Sequence, residues 1–355
     1  MSTCPSASAY RVAWICALSI EYVAACELLD ETYSTPRLTS ATDNNIYICG
    51  RIGEIKVVVV CLPKGLYGTI STAMMAVDLI HSFPCLSFGL LVGTAGGAPS
   101  RKHDIRLGDV VVSMPTDRFG GVVHYTAGKM IQDQPFAASC SYLNKPPQVL
   151  MTAVQRLEVS YARHGNGLFD TVTKMMGKNA RLRSTYIGSL PKPENLYQSS
   201  HVHPPRETDS SGCAFSCGLK PEITVKRPWR DIRNPHIHHG LVASADRLIK
   251  DATFRDNMAE KYDVLCFEME AAGLVNVLPS LVIRGISNYA DTHKNDEWQA
   301  FAAAIASAYA KDLLKLVPPN AVEPTNPNTR ASDQAPKTRF EKGACPCSSK
   351  DTSRG

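Results

Sequence analysis

Residues 263–291 read DVLCFEMEAAGLVNVLPSLVIRGISNYAD, and the rest of the chain is organised around them. Glu268 and Glu270 close one apolar run and open an apolar helical stretch. A second apolar run, 281–286, ends in Ser287, Asn288 and Asp291. Open α/β sheets build their sites from polar groups at the ends of buried strands. This stretch is therefore expected to form the floor of a pocket.

Working outward, the preceding chain supplies further strands and helices. Residues 10–17 form a strand-like run, Ser19 can cap the helix that follows, and Glu21 then falls in that helix's first turn. An acid there can simply match the positive end of the helix. Residues 46–52 and 55–62, joined through Gly53-Glu54, read as a hairpin. The KGLYGT segment at 64–69 lacks the P-loop order and reads as a tight turn into a helix with Met74, Val77 and Ile80 at helical spacing. Residues 86–92 have the apolar character of a strand covered on both faces. The run ends in Gly93-Thr94-Ala95-Gly96-Gly97, either a plain glycine turn or a place where backbone approaches a ligand.

Residues 109–113 and 241–244 are further strands, and 148–160 has helical periodicity. Between 191 and 235 periodicity fails, prolines recur and charge is mixed, which marks a loop insert. It holds Cys213, Cys217, His201 and His203, with His236, His238 and His239 close behind. The spacing is not that of paired CxxC ligands, so these are expected to be solvated loop residues and no metal is expected. Trp298, Phe301, Ile305, Tyr309 and Leu313 outline an amphipathic helix that starts at Asn295 or Asp296 and is stopped by Pro318-Pro319. Residues 318–355 are polar and proline-bearing, as in a disordered tail, and 1–9 read as a flexible start.

With 355 residues, 44% of them hydrophobic, the chain can bury a sizeable core. The net charge of +5 is modest and does not by itself imply nucleic acid. No apolar run reaches the roughly 20 residues of a membrane helix, and the start lacks a signal-peptide pattern. Most of the 12 cysteines sit in apolar runs, such as Cys16, Cys61, Cys85 and Cys266, which suits buried thiols. These features point to a cytoplasmic protein without a membrane or nucleic-acid partner.

FEMEAAG at 267–273 resembles the VEMEA signature of the nucleoside phosphorylase and nucleosidase family, and RGISNYAD at 284–291 resembles its RAISD-type strand end. CALSIEY, VGTAGG, LGDVVV and LVASAD follow in the family's order, and the likeness runs from about 10 to 318. It is nearest to fungal nucleosidase-like domains similar to methylthioadenosine/adenosylhomocysteine nucleosidase. It implies one three-layer α/β/α sandwich over 10–317 with a mixed central sheet, no cofactor, a small nucleoside or nucleotide as ligand, and a homo-oligomer.

The same resemblance assigns roles. Glu21 matches the glutamate that activates water, Thr94 and Gly96 lie at the base and ribosyl site, and Glu270 accepts hydrogen bonds from the ribose hydroxyls. Met269 packs under the sugar, with Glu268, Arg284 and Ser287 in support. SADRLI, which contains Leu248, matches a loop near the base, with Ala245 in place of a glycine. Hexameric phosphorylases carry arginine at the positions of Glu21 and Leu91, so the expected reaction is hydrolysis. Where nucleosidases place a proton-donating aspartate this chain has Asn288, with Asp291 near enough to compensate. A phosphorylase, or a binding or signalling module with little turnover, is the alternative.

Overall fold

Side chains alternate along the central strands, and both sets are buried. Val12, Trp14 and Cys16 enter one core with Val57, Val59, Leu90 and Val92. Ala13, Ile15, Val58, Val60 and Leu91 enter another. A sheet with two apolar faces needs cover on both sides, and helices provide it. The computed structural model describes residues 5–38, 42–129, 132, 137–138, 143–188, 194–204, 217–218 and 220–322. Cys213, Cys345, Cys347 and the tail from 323 lie outside them, as does part of the insert.

The elements run β1 (Val12–Cys16), α1 (Ser19–Glu27), β2 (Glu31–Tyr33), β3 (Tyr47–Ile52), β4 (Ile55–Cys61), α2 (Thr69–Ser82), β5 (Phe88–Gly97), β6 (Val110–Ser113) and β7 (Val122–His124). There follow β8 (Gly128–Lys129), β9 (Ala137–Ala138), α3 (Gln148–His164), α4 (Leu168–Met176), α5 (Ala180–Tyr186), β10 (Ile237–Ser244) and α6 (Ala252–Tyr262). The chain then forms β11 (Val264–Glu268), α7 (Ala271–Leu274), β12 (Ser280–Asn288) and α8 (Gln299–Leu316).

The main sheet is mixed, with order β11-β10-β6-β12-β5-β1-β4-β3-β2 and β7 beside β10. β5 is parallel to β1 and β12, whereas β12 is antiparallel to β6. β11 also bonds back to the end of β5, Cys266 against Gly97 and Phe267 against Gly96. Strands β5, β12, β6, β10 and β11 therefore close into a ring. Residues 93–97, expected to be a loop after the strand, are instead its last five residues. Small side chains there admit the antiparallel partner while leaving the strand intact.

Helices α1, α3, α4, α5 and α8 contribute to the first core, while α2 and α7 cover the second face. The inner side of α2 is Thr72, Met75, Ala76 and Leu79. Met74 and Val77 point outward. α8 departs from the amphipathic expectation, because every residue from 300 to 311 is buried. Alanines fill the faces between the large side chains, and these pack on β12, β5 and β6 as well as on α1, α3 and α4. The contact is so close that a Cβ on Gly285 would lie 2.0 Å from the Ala302 carbonyl oxygen. Helices α4, α5 and α6 were not anticipated by periodicity.

The described part of the insert is tied to the sheet by charge. Asp109, buried before β6, accepts bonds from Arg230 at 2.6 and 2.7 Å and from the backbone N–H groups of Arg106 and His236, and pairs with His238 Nε2 at 2.9 Å. Burial raises its pKa, but His238 and Arg230 outweigh that and hold it below the usual aspartate range. Cys217, expected to be solvated, is buried.

Candidate active site

The chain leaves β1 at Cys16 and turns into α1 with Leu18, rather than Ser19, at the N-cap. Glu21, at the third helical position, reaches back so that Oε2 accepts the N–H groups of Ala17 at 2.9 Å and Leu18 at 3.0 Å. Its Oε1 accepts the Thr94 N–H at 2.7 Å and the Thr94 hydroxyl at 3.1 Å. A carboxylate offers about four acceptor positions, so Glu21 is saturated. Three of its donors are fixed backbone groups; the rotatable hydroxyl is the one that can yield to water.

Across the cavity, β11 delivers Glu268 and Glu270 to the start of α7. Glu268 accepts the N–H groups of Glu270 at 3.1 Å and Ala271 at 3.0 Å, and its Oε2 bonds Arg284 Nη2. The same Nη2 donates to Glu270 Oε2 at 3.1 Å. Burial, partly offset by Arg284 and reinforced by Glu268 and Glu21, pushes the Glu270 carboxyl up to about 7. Burial lowers the Arg284 pKa, but Glu268, Glu270 and Glu21 outweigh that and hold the guanidinium charged. A Cβ on Gly93 would come within 2.5 Å of Arg284 Nη1 and 2.6 Å of Glu21 Oε1. Only glycine lets cation and carboxylate meet against the strand.

β12 contributes Asn288 as well as Arg284. Asn288 Oδ1 accepts the Ala290 N–H at 3.0 Å, while Nδ2 contacts Ser287 Oγ at 3.2 Å. With the oxygen engaged, the side chain presents mainly its amide donor to the cavity. Ala290 itself sits at φ 51, a left-handed conformation unusual for a residue with a Cβ. Ala245 has no such conformation, so the loss of a glycine there leaves the turn undisturbed. The neighbouring Asp246 caps α2 by accepting the Thr69 N–H at 2.6 Å and hydroxyl at 2.7 Å.

Together these residues line a cavity of about 420 Å³ that contains Glu21, Thr94, Gly96, Leu248, Glu268, Met269, Glu270, Arg284, Ser287 and Asn288. The size suits a nucleoside-sized ligand. Asp291 does not line it. That carboxylate accepts the His293 N–H at 3.0 Å and sits 3.8 Å from Arg255. Its partners are His293 and Arg255 rather than cavity groups, so it is not placed to compensate for Asn288. Tyr67, Arg247, Phe267, Lys294 and Asp296 also line the cavity and were missed. Arg247 and Phe267 lie inside SADRLI and FEMEAAG, Lys294 and Asp296 follow RGISNYAD, and Tyr67 sits in the KGLYGT turn.

No protein-family model matches the chain. The solved 5'-methylthioadenosine/S-adenosylhomocysteine nucleosidase of Helicobacter pylori superposes with a TM-score of 0.54 at 14% identity, covering 87% of this chain and 99% of that one. The chain has the nucleosidase fold. Among curated relatives, a nucleotide-binding leucine-rich repeat (NLR)-like protein of Hyaloscypha variabilis is 37% identical over 317 residues, 89% of this chain. An ATP nucleosidase, Cap17, of Escherichia coli is 31% identical over 85 residues, 22% of this chain. The nucleosidase-fold chain spans only 30% and 17% of the lengths of these two relatives. No helix among the described residues is long and apolar enough to cross a membrane.

Proposed function

We propose that the chain is a purine nucleosidase that hydrolyses the bond between ribose C1′ and the base. The observation that carries this reading is the pair of carboxylates, Glu21 and Glu270, facing one cavity with Arg284 bonded to Glu270. Water attacks C1′ as the C1′–N bond breaks and its electron pair leaves with the base. Glu21 takes a proton from the water, its Thr94 hydroxyl bond giving way. Ionised Glu270 accepts the ribose 2′- and 3′-hydroxyls and stabilises positive charge on the oxocarbenium-like sugar. Asn288 donates a hydrogen bond to the departing base, which takes its proton from solvent because the amide supplies none.

Hydrolysis is favoured over phosphorolysis because Leu91 is a core residue and Arg284 is committed to Glu268 and Glu270. Arg247 and Lys294 line the same cavity and support a substrate bearing 5′-phosphates, in keeping with the name of the E. coli relative. A binding or signalling module with little turnover is the second reading, favoured by the amide at 288. A product assay with ATP, adenosine and inosine tests all three. Free base released without phosphate supports the proposal, ribose 1-phosphate moves the chain to the phosphorylases, and tight binding without product moves it to the sensors.

A further inference from the structure

The described part of the insert brings histidines and a cysteine against the segment that follows β12. His201, Cys217 and His293 each direct one ligand atom into a common space, and these atoms all lie within 4.8 Å of one another. His203 Nδ1 lies 3.1 Å from Cys217 Sγ. His201 Nε2 and both ring nitrogens of His293 are buried with no hydrogen-bond partner among the described residues. His293 is only 8% exposed. Buried polar atoms are normally hydrogen-bonded, so three orphaned nitrogens in one place need an explanation.

We propose that His201, Cys217 and His293 bind one zinc ion, with His203 as the fourth ligand, and that this ion fastens the insert to the chain segment after Asn288. Imidazoles with a thiolate are the donor set of structural zinc and are too soft for magnesium or calcium. Tetrahedral zinc places its ligand atoms about 3.5 Å apart, so the cluster needs to contract by roughly 1 Å. His293 already has the outer support such a ligand uses. Its Nδ1 faces Asp291 Oδ2 at 3.5 Å, too poorly aligned for a hydrogen bond as it stands, which leaves Nε2 for the metal. Tyr197 stacks on the His293 ring with centroids 4.0 Å apart and fixes its plane.

This assignment gives Asp291 a task that the nucleoside cavity does not. It also accounts for what spacing alone concealed, since one ligand lies some 76 residues beyond Cys217, outside the insert. The inference does not depend on the proposed hydrolysis. It does couple to the cavity, because Asn288 and His293 line one small space beside Tyr197.

The test uses the full chain carrying no histidine tag, stripped with chelator and titrated with zinc alone against a colorimetric competitor. One equivalent bound with submicromolar affinity is expected. Less than a tenth of an equivalent in folded wild-type protein overturns the site. Cys217→Ser and His293→Ala should each weaken zinc by at least 100-fold, whereas His236→Ala, outside the cluster, should bind as wild type; retention by both of the former overturns the ligand set. Cobalt substitution guards against misfolded variants. Wild type should give the intense visible bands of tetrahedral coordination with a sulfur charge-transfer band, and an octahedral spectrum would refute the assignment. His203→Ala should weaken zinc as Cys217→Ser does; unchanged affinity removes His203 as the fourth ligand.

Discussion

Asn288 concentrates the chemical question at the scale of single residues. Its Oδ1 is an acceptor for the Ala290 N–H, and an aspartate oxygen can keep that bond, so Asn288→Asp should fold normally. The variant gains an acid group, and assistance of this kind is worth about 10²–10⁴-fold. Adenine nucleoside or nucleotide cleavage should rise by that order, while 6-oxopurine substrates lose an amide donor. Unchanged rates on both would show that residue 288 does not touch the base. Glu270 governs pH dependence. Burial pushes its carboxyl up to about 7, and in the proposed reaction it must be ionised to accept ribose hydroxyls, so kcat/KM should fall tenfold per pH unit below about 7. Glu270→Gln should be slow at every pH and lack that limb; a variant retaining it places the titration elsewhere. Because the folded pKa is raised, ionisation also costs stability, and this cost grows from the unfolded value near 4.5 up to about 7. The key acids were legible because each sits in a contiguous motif at a strand end. Arg247 and Lys294 were not, since a cation in a polar loop carries no mark of the cavity it faces.

At the scale of elements, sequence patterning gave the strands well and the helices unevenly. Strand runs such as 86–92 are continuous and apolar, whereas α4 and α5 are short, at nine and seven residues. The course of β5 through Gly93–Gly97 was obscured because glycine is usually read as a breaker, yet here it gives Arg284, Glu21 and β11 room to approach. α8 was misjudged because alanine counts little in an amphipathic stripe although it packs as closely as any residue. Gly285→Ala tests the resulting contact. The added methyl meets the Ala302 carbonyl, and overpacking of this kind costs about 1–3 kcal/mol or more. Urea denaturation should show a lower midpoint at an unchanged slope. Undiminished stability would mean that α8 can slide away from β12.

At the scale of the whole molecule, the outer face of α2 is unusually apolar for a monomer. Ile70 and Met74 are 73% and 67% exposed, with Leu66, Tyr67 and Val77 beside them. Such patches commonly mark interfaces. The homo-oligomer that the resemblance implies would cover this face with a second copy and place Tyr67, a cavity residue, next to the seam. Sedimentation should give a dimer or larger species for wild type and a monomer for Met74→Asp; a monomeric wild type would refute this. The three-layer sandwich was legible from the order of the motifs, but ring closure through β11 was not, because a two-residue pairing leaves no periodic trace.

One bond described above also makes the cavity observable from within. The Thr94 amide lies on β5, which is hydrogen-bonded to β1, β12 and β11, and it donates at 2.7 Å to Glu21 Oε1. Its hydrogen should therefore exchange with solvent only when the bond to Glu21 breaks. Its proton resonance should lie far downfield and move upfield when Glu21 is replaced by glutamine. A single backbone signal would thus report, in the resting protein, on the bond held by the group proposed to activate water.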